Sequence, residues 1–373
     1  MSNPTKQALQ ICLQANIPAI AWGGPGVGKT SWAVAVAESL GMPIEVVITS
    51  IREPQDFGGL PVYDSTEGDV LLAPPQWAKR LEESGNGIVF FDEISTAPPA
   101  VQAAMLRVTQ DRVVGDMKLP DNVSILAAAN PPDVAAGGWD LAPPMANRFC
   151  HIDWPEPSAK EWSEGMMSGW PAPEITKLPD DWRSNISQAK AAVTSFLNYK
   201  KTGLYQMPKN ESDAGKAWPS PRSWDMACTL IAASISVFGK ESLTQNLHET
   251  ISKLVSGCVG QGMAIEFLTY TKDLDLPDPE DLLENPDALE VTDRTDKMYA
   301  ILNSVTAAIL ENNTKNRWYA GWFVLEKAAT ESAPDVATMS ASTLMKNKPK
   351  DADLPVEQMR PFGDILDFID SNS

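Results

Sequence analysis

The sequence predicts an α/β fold, in which a parallel sheet lies between helices, followed by a largely helical remainder. Three observations predict it. Short apolar segments alternate with helix-like segments over about the first 155 residues, a glycine-rich loop joins the first strand to the next helix, and the later part is mostly helix-like. Such alternation is typical of parallel sheets that are covered by helices on both faces.

Composition limits the class of protein. A chain of 373 residues predicts two or three domains, and an apolar fraction of 43% is sufficient for a buried core. No apolar run approaches the length of a membrane span, and the polar N-terminus lacks the pattern of a signal peptide. Four scattered cysteines suit a reducing compartment, so we expect a cytoplasmic protein without membrane contact. The net charge of −19 disfavours a nucleic-acid partner.

The first strand and helix enclose the strongest motif. Residues 18–22 are short and apolar, as in a buried strand, and residues 31–40 form a helix-like segment that ends before Gly41. The residues between them match G-x-x-x-x-G-K-[ST], in which glycines let backbone N–H groups surround a phosphate at a helix N-terminus. These residues are Gly23, Gly24, Pro25, Gly26, Val27, Gly28, Lys29 and Thr30. Lys29 is expected to neutralise the β- and γ-phosphates of a nucleoside triphosphate and Thr30 to bind Mg²⁺; the alternative is a glycine turn that precedes a lysine by chance.

Further strands are predicted at residues 44–49, 88–91 and 123–128, with a helix at 99–112. Two hairpins interrupt the alternation, one over residues 60–72 and a tighter one over residues 113–119.

Two adjacent carboxylates, Asp92 and Glu93, follow the apolar strand at 88–91. Ligands of open α/β sheets bind at the carboxyl ends of strands, so these acids are expected near the phosphates. Asp92 would hold Mg²⁺, and Glu93 would orient and polarise the attacking water. The alternative is a pair of solvated acids in a loop.

The pattern is weaker beyond residue 154, where prolines and four tryptophans are interspersed. A clear helix is predicted at 220–238, with Ser220 as its N-cap and Pro221 in its first position. The remainder is expected to be helical, broken by an acidic, proline-bearing loop at 273–296 and a second break at 346–355.

In their order and spacing, these motifs resemble those of the AAA+ ATPases, and within them the MoxR-like group. The matching segments are the phosphate loop, Phe91-Asp92-Glu93-Ile94 with Ala97-Pro98-Pro99, Ala127-Ala128-Ala129-Asn130-Pro131, and Asn147-Arg148-Phe149. The resemblance covers roughly the first 150 residues, with a lid-like signature at Pro219-Ser220-Pro221-Arg222.

The resemblance implies three further site residues. Asn130 matches sensor 1, which positions the attacking water, although Asn-Pro also begins ordinary turns. Arg148 matches the arginine finger, which reaches the nucleotide of a neighbouring subunit, and Arg222 matches sensor 2. Either arginine could instead be an ordinary surface residue.

The resemblance also implies a domain organisation. Residues 1–155 would be the AAA+ nucleotide-binding domain, with a hairpin at about 52–75 that looks like the helix-2 insert of MoxR-like proteins. Residues 156–240 would be an α-helical lid, and residues 241–373 a helical C-terminal extension with acidic loops.

The implied function is hydrolysis of ATP with Mg²⁺ by a ring, a hexamer, that remodels a separate protein partner in a chaperone-like way. Partners of MoxR-like ATPases commonly carry a von Willebrand factor A domain. Two alternatives stay open at this point. One is a nucleic-acid motor or clamp-loader-like ATPase, and the other is a non-catalytic nucleotide-binding scaffold.

Overall fold

The computed structural model describes residues 3–65, 68–131, 138–243, 247–274, 276–331 and 334–363. Its strands, in chain order, are β1 (Ala19–Trp22), β2 (Ile44–Ile48), β3 (Leu60–Asp64), β4 (Asp69–Ala73), β5 (Asn86–Asp92), β6 (Val113–Val114), β7 (Met117–Lys118), β8 (Asn122–Ala129) and β9 (Cys150–Asp153). Five of them form a parallel sheet in the order β2-β5-β8-β1-β9.

Helices make up most of the remaining described structure. They are α1 (Pro4–Gln14), α2 (Lys29–Leu40), α3 (Gln55–Gly58), α4 (Gln76–Ser84), α5 (Pro99–Asp111), α6 (Pro143–Ala146), α7 (Ala159–Ser168), α8 (Ile186–Tyr199), α9 (Glu211–Ala214), α10 (Pro221–Phe238), α11 (Glu249–Val259), α12 (Gln261–Leu274), α13 (Pro279–Glu284), α14 (Thr295–Glu311), α15 (Lys315–Glu331), α16 (Pro334–Lys346) and α17 (Val356–Met359). Across the described ranges, no helix has both the length and the apolar character that crossing a bilayer requires.

Apolar cores lie on both faces of the sheet, to which alternate residues of each strand point. On β5, Ile88 and Phe90 belong to one apolar core, and Val89 and Phe91 belong to the other. The first core also contains residues of α1, α2, α8 and α10 to α12, and the second contains residues of α4 and α5. The predicted parallel sheet between helices is therefore confirmed.

Helix α11 covers the edge strand β9. The Cys150 N–H donates to Pro18 O at 2.8 Å, so the N–H and C=O of His151 point to the other side, where the sheet ends. Gly257 of α11 lies at this point, and a Cβ there would be only 2.4 Å from His151 O. A glycine is therefore needed for the helix to close this edge of the sheet.

The two predicted hairpins, β3–β4 and β6–β7, exist and contact each other. The Asp116 N–H donates to Leu72 O at 3.0 Å, and the Leu72 N–H donates to the Asp116 carboxylate at 2.7 Å. Gly59 and Gly115 meet at this contact, where neither leaves space for a Cβ. The two hairpins are thus joined by one backbone–backbone hydrogen bond and by one hydrogen bond to the Asp116 carboxylate.

The C-terminal part has its own apolar core, formed by residues of α13 to α17 and the loops between them. The prediction of an exposed loop at 273–296 was wrong over its centre. Asp278 caps α13 by accepting the Glu280 N–H at 3.0 Å, and Leu282 and Leu283 are buried. Burial of apolar side chains outweighed the acidic, proline-bearing composition that suggested a linker.

The lid-like helix α10 begins as predicted, with Ser220 as its N-cap accepting the Ser223 N–H at 3.1 Å. The elements that were not predicted include the N-terminal helix α1, helix α4, the short helices α3 and α6, and the edge strand β9. Of the four interspersed tryptophans, Trp154 and Trp182 are buried, and Trp162 and Trp170 are more than half exposed.

Candidate active site

The five parallel strands end at one side of the sheet, here called the carboxyl edge, and begin at the other, the amino edge. At the carboxyl edge, Trp22 of β1 lies beside Ala129 of β8, and Ile48 of β2 lies beside Asp92 of β5. The residues that follow these strands therefore meet.

The glycine-rich loop joins β1 to α2 and leaves an open concave surface. Gly26 and Gly28 have φ angles of 76° and 86°, which side chains other than glycine rarely adopt. Nothing lies within 4 Å of the position that a Cβ would take at Gly24, Gly26 or Gly28. The loop thus has space for a ligand directly before the N-terminus of α2, where N–H groups and the helix dipole favour an anion.

Lys29, the first residue of α2, points back into this loop. Its Nζ donates to Gly23 O at 2.6 Å, Gly24 O at 2.8 Å and Asn130 Oδ1 at 3.1 Å. Burial lowers the pKa of Lys29, and the negative charge of Asp92 partly opposes this. Lys29 is buried, and its hydrogen-bond partners are all neutral oxygens, so an anionic ligand would stabilise its charge.

Thr30 and Asp92 form a direct contact. The Thr30 hydroxyl donates to Asp92 Oδ2 at 2.6 Å, and Asp92 Oδ1 accepts the Glu93 N–H at 2.9 Å. The Thr49 hydroxyl, which follows β2, donates to Asp92 O at 2.8 Å and fixes the end of β5. Hydroxyl and carboxylate oxygens are the donors that Mg²⁺ prefers.

Glu93 has an unusual backbone. Its φ of 57° places it in the left-handed region, which costs about 1 kcal/mol or more for a residue with a Cβ. Its carboxylate is exposed at the carboxyl edge and accepts the Ser50 hydroxyl at 2.5 Å. Sequence reasoning missed Ser50, although its place two residues after β2, the neighbour of β5, was a usable signal.

Asn130 is held by Ser95, another residue that sequence reasoning missed. The Ser95 hydroxyl donates to Asn130 O at 3.0 Å and accepts the Asn130 N–H at 3.2 Å. The Asn130 side chain is thereby directed to Lys29. Lys29, Thr30, Asp92, Glu93 and Asn130 all lie at the carboxyl edge, in one chain.

The structure places Arg148 elsewhere, at the amino edge. It precedes β9, whose first residue Cys150 lies beside Ala19, the first residue of β1. At about 3.3 Å per residue, the strand separates Arg148 from the phosphate loop by roughly 10 Å or more along the sheet. The Arg148 guanidinium donates to Pro144 O and to Gln110 Oε1.

Arg222 lies close to Arg148. The start of α10 is fixed there because the Ser220 hydroxyl donates to Asn147 Oδ1 at 2.6 Å. Burial lowers the pKa of Arg148, the positive charge of Arg222 lowers it further, and Asp111 opposes both. Within the described residues, the buried Nε of Arg148 has no hydrogen-bond partner. Two arginines therefore share a surface where an anionic group would relieve their repulsion.

Trp154 connects β9 to the phosphate loop, a contact that sequence reasoning did not predict. Its indole N–H donates to Val27 O at 3.1 Å, and its ring packs on Trp32 of α2 with centroids 5.2 Å apart. Both rings line a cavity of about 790 Å³ that also borders Gly26 and Gly28. The cavity is large enough for the part of a nucleotide beyond its phosphates.

Comparison with known proteins agrees with this geometry. Residues 19–151, from β1 into β9, match the ATPase family associated with various cellular activities (AAA). The pathogenicity locus probable regulatory protein WtsA of Pantoea stewartii subsp. stewartii is 27% identical over 115 aligned residues. The alignment covers 30% of this chain and 36% of WtsA. The anaerobic nitric oxide reductase transcription regulator NorR of Escherichia coli O1:K1 / APEC is 28% identical over 131 aligned residues. That alignment covers 34% of this chain and 26% of NorR.

A solved structure of a presumed ATPase from Cytophaga hutchinsonii ATCC 33406 aligns with 68% of this chain and 80% of its own, with a TM-score of 0.42 and 16% identity. The chain spans about a third or less of the length of the curated relatives that it matches. The segment from β1 to β9 is an ATPase domain of the AAA+ family, which confirms the resemblance at that level.

Proposed function

We propose that this AAA+ ATPase binds ATP with Mg²⁺ at the phosphate loop and hydrolyses it in a ring, a hexamer, to remodel a protein partner. The observation that carries this proposal is the contact network at the carboxyl edge. Thr30 Oγ1 lies 2.6 Å from Asp92 Oδ2, and Lys29 Nζ lies 3.1 Å from Asn130 Oδ1. Asp92 and Asn130, which are distant in sequence from the loop and from each other, thus converge on Lys29 and Thr30.

The residues present fit ATP and Mg²⁺. The backbone of Gly23, Gly24, Pro25, Gly26, Val27 and Gly28 would surround the β-phosphate, and Lys29 would exchange its carbonyl partners for phosphate oxygens. Thr30 and Asp92 would hold Mg²⁺, whose charge stabilises the phosphates when it is bound.

Glu93 is the proposed general base. Its carboxylate is exposed beside Asp92 at the carboxyl edge, where it would accept a proton from the attacking water. Asn130, fixed by Ser95, would orient that water. The left-handed backbone of Glu93 supports the assignment, because strained residues collect at functional sites.

Arg148 and Arg222 are proposed to act on the nucleotide of the neighbouring subunit. Both lie at the amino edge, away from the phosphate loop of their own chain. An arginine supplied by a neighbour stabilises the charge on the transferring phosphoryl group. A ring arranged in this way would pair each carboxyl edge with the amino edge of the next subunit.

Membership of the MoxR-like group is part of the proposal, supported by the sequence motifs and by the β3–β4 hairpin, which lies where a helix-2 insert is expected. The proposed organisation is the domain at 1–155, the lid at 156–240 and the extension at 241–373. The proposed partner is a separate cytoplasmic protein. By analogy with that group, a von Willebrand factor A domain is the domain proposed for it.

Mixing two inactive variants tests the shared site. Arg148→Ala keeps Glu93, and Glu93→Gln keeps Arg148, so a mixed ring contains some intact sites. We expect an equal mixture to regain about a quarter of wild-type turnover, since one neighbour pair in four is competent. A double variant, Glu93→Gln with Arg148→Ala, is the control and should restore nothing. An inactive equal mixture would contradict the shared site.

One alternative has a specific observation in its favour, because the curated relatives are named as regulatory proteins, one of them a transcription regulator. A nucleic-acid-associated motor or clamp-loader-like ATPase would share the same site. The net charge of −19 opposes it. Stimulation of ATP turnover by added DNA or RNA at low salt would favour this alternative over protein remodelling.

A further inference from the structure

We propose that Trp154 is a positioning residue for nucleotide binding, whose indole N–H holds the Val27 carbonyl and keeps the phosphate loop in its binding shape. The inference rests on the proposed function, since it concerns the same loop. Trp154 lies outside the motif, 127 residues from Val27 along the chain.

Trp154 contacts the loop at two points. Its backbone N–H donates to Trp22 O at 2.6 Å, directly before the loop, and its indole N–H donates to Val27 O at 3.1 Å. Between these points, a Cβ at Gly23 would lie 3.0 Å from Trp154 O, so the backbones are in close contact. The residue before the loop and the fifth residue of the loop are thus both fixed to Trp154.

The indole ring is itself held in place. Trp154 is only 8% exposed, and its ring packs at 60° on Trp32, in the first turn of α2 after Lys29 and Thr30. The ammonium of Lys6 lies 6.0 Å from the ring centroid. The Trp154 side chain therefore contacts both the loop, at Val27, and helix α2, which begins with Lys29.

The hydrogen bond to Val27 sets the direction of the Gly28 N–H, a backbone group that would donate to a bound phosphate. Val27 C=O and Gly28 N–H belong to one peptide unit, which is planar and trans, so they point in opposite directions. While Trp154 holds the carbonyl, the Gly28 N–H is turned away from Trp154. Gly28 has a φ of 86° and no side chain to restrict rotation, so this peptide would be free to turn without the bond.

The same ring lines the cavity of about 790 Å³ beside the loop, so it could also contact the base of a nucleotide. The two roles differ in their ligand requirement. A residue that shapes the loop affects every polyphosphate, whereas a residue that contacts the base affects only nucleotides.

The test compares ATP with inorganic tripolyphosphate, both as Mg²⁺ complexes, by calorimetric titration of the full chain. Trp154→Phe keeps an aromatic ring and removes the N–H. We expect both ligands to bind about three- to tenfold more weakly, as for loss of one neutral hydrogen bond. The KM for ATP should rise by the same factor, with kcat at saturating ATP unchanged.

Trp224→Phe is the matched control, because the buried Trp224 also donates its indole N–H to a backbone carbonyl, Gly203 O, at 2.9 Å. This variant should bind both ligands as the wild type does. If Trp154→Phe does not fold, 3-benzothienylalanine at position 154 replaces the N–H by sulfur in a ring of the same shape.

Three outcomes would overturn the inference: unchanged binding of both ligands, weaker binding of ATP alone, or equal weakening in Trp224→Phe. Lys29→Ala separates it from the proposed function. If Lys29→Ala binds ATP normally, the proposed site is wrong. If Lys29→Ala loses ATP while Trp154→Phe keeps full affinity, only the role of Trp154 is wrong.

Discussion

The two edges of the parallel sheet differ in how their charges are matched. At the carboxyl edge, the ammonium of Lys29 and the carboxylates of Asp92 and Glu93 all have hydrogen-bond partners within the same chain. At the amino edge, Arg148 and Arg222 lie together and raise each other's electrostatic energy. The first edge brings opposite charges together at Lys29 and Asp92, whereas the second places two cations close together, opposed by Asp111.

Under the proposed function, this difference would mean that one chain contributes halves of two different sites. A buried or half-buried charge without a counter-charge is unfavourable, so it marks a place where a ligand or partner is expected. The predictions below test whether the two edges function together, in order of decreasing effect.

Arg148→Ala should have the largest effect, because arginine fingers contribute about 10³–10⁵-fold to phosphoryl transfer. Turnover should fall by that order, while each subunit binds ATP with unchanged affinity, measured by phosphate release and by titration. Arg80→Ala removes an exposed arginine that pairs with Glu45 and should leave turnover unchanged. Weaker ATP binding by isolated Arg148→Ala subunits would argue against action on a neighbour.

Glu93→Gln tests the carboxyl edge. Loss of a general base should lower kcat by about 10²–10⁴-fold, and ATP binding and ring assembly should persist because charge near the phosphates is reduced. Single-turnover kinetics would measure hydrolysis, and light scattering in the presence of ATP would measure ring assembly. Glu83→Gln, on the exposed surface of α4, is the control. Hydrolysis at the wild-type rate in Glu93→Gln would disprove the assignment.

His151 links the two edges and predicts a pH dependence. The Trp22 indole donates to its Nδ1 and its Nε2 donates to Ala146 O, both at 2.9 Å. Burial lowers the pKa of His151 from 6.5 to about 4, against the opposing effect of the Ala146 carbonyl. The unfolded chain therefore binds a proton between pH 6.5 and 4 that the folded chain does not.

The free energy of unfolding should accordingly fall by about 3 kcal/mol as pH decreases from 6.5 to 4 through this one group. Urea unfolding at several pH values would measure it. His151→Asn keeps an acceptor for Trp22 but does not titrate, so its stability should decrease less over the same range. Equal slopes in both proteins would show that His151 is not the titrating group.

Ser95→Ala should have the smallest effect. It removes two hydrogen bonds that hold Asn130, so kcat should fall roughly tenfold or less with KM unchanged. Steady-state kinetics would detect this. Ser84→Ala, which removes an exposed hydroxyl that contacts Asn86, provides the comparison. A rise in KM alone would indicate that Ser95 acts on ATP binding instead.

The carboxyl edge could largely be predicted from the sequence, because its residues are in short motifs that follow apolar strands. Lys29 and Thr30 are placed by the loop itself, and Asp92 and Glu93 by the strand before them. The amino edge could not, because the proximity of Arg148 and Arg222 depends on how α10 packs beside Asn147. Tertiary contacts of this kind leave no local pattern.

The supporting contacts were missed for the same reason. Ser50 and Glu93 are 43 residues apart, and Trp154 and Val27 are 127 residues apart. Strand β9 has only four residues, and its pairing with β1 decides its structure more than its composition does. The segment around α13 was wrongly predicted to be an exposed loop, because its acidic charge can be read from the sequence and the burial of its three leucines cannot.

The close contact of Gly257 with β9 has a consequence for aggregation. An uncovered edge strand offers free N–H and C=O groups to any other extended chain. Helix α11 removes this possibility at β9, with no space left for another backbone. A chain cut after residue 240 would lose α11, expose His151 at the sheet edge and become prone to polymerise by strand addition. We therefore expect that a chain divided at the proposed boundary at residue 240 would not remain a monomer.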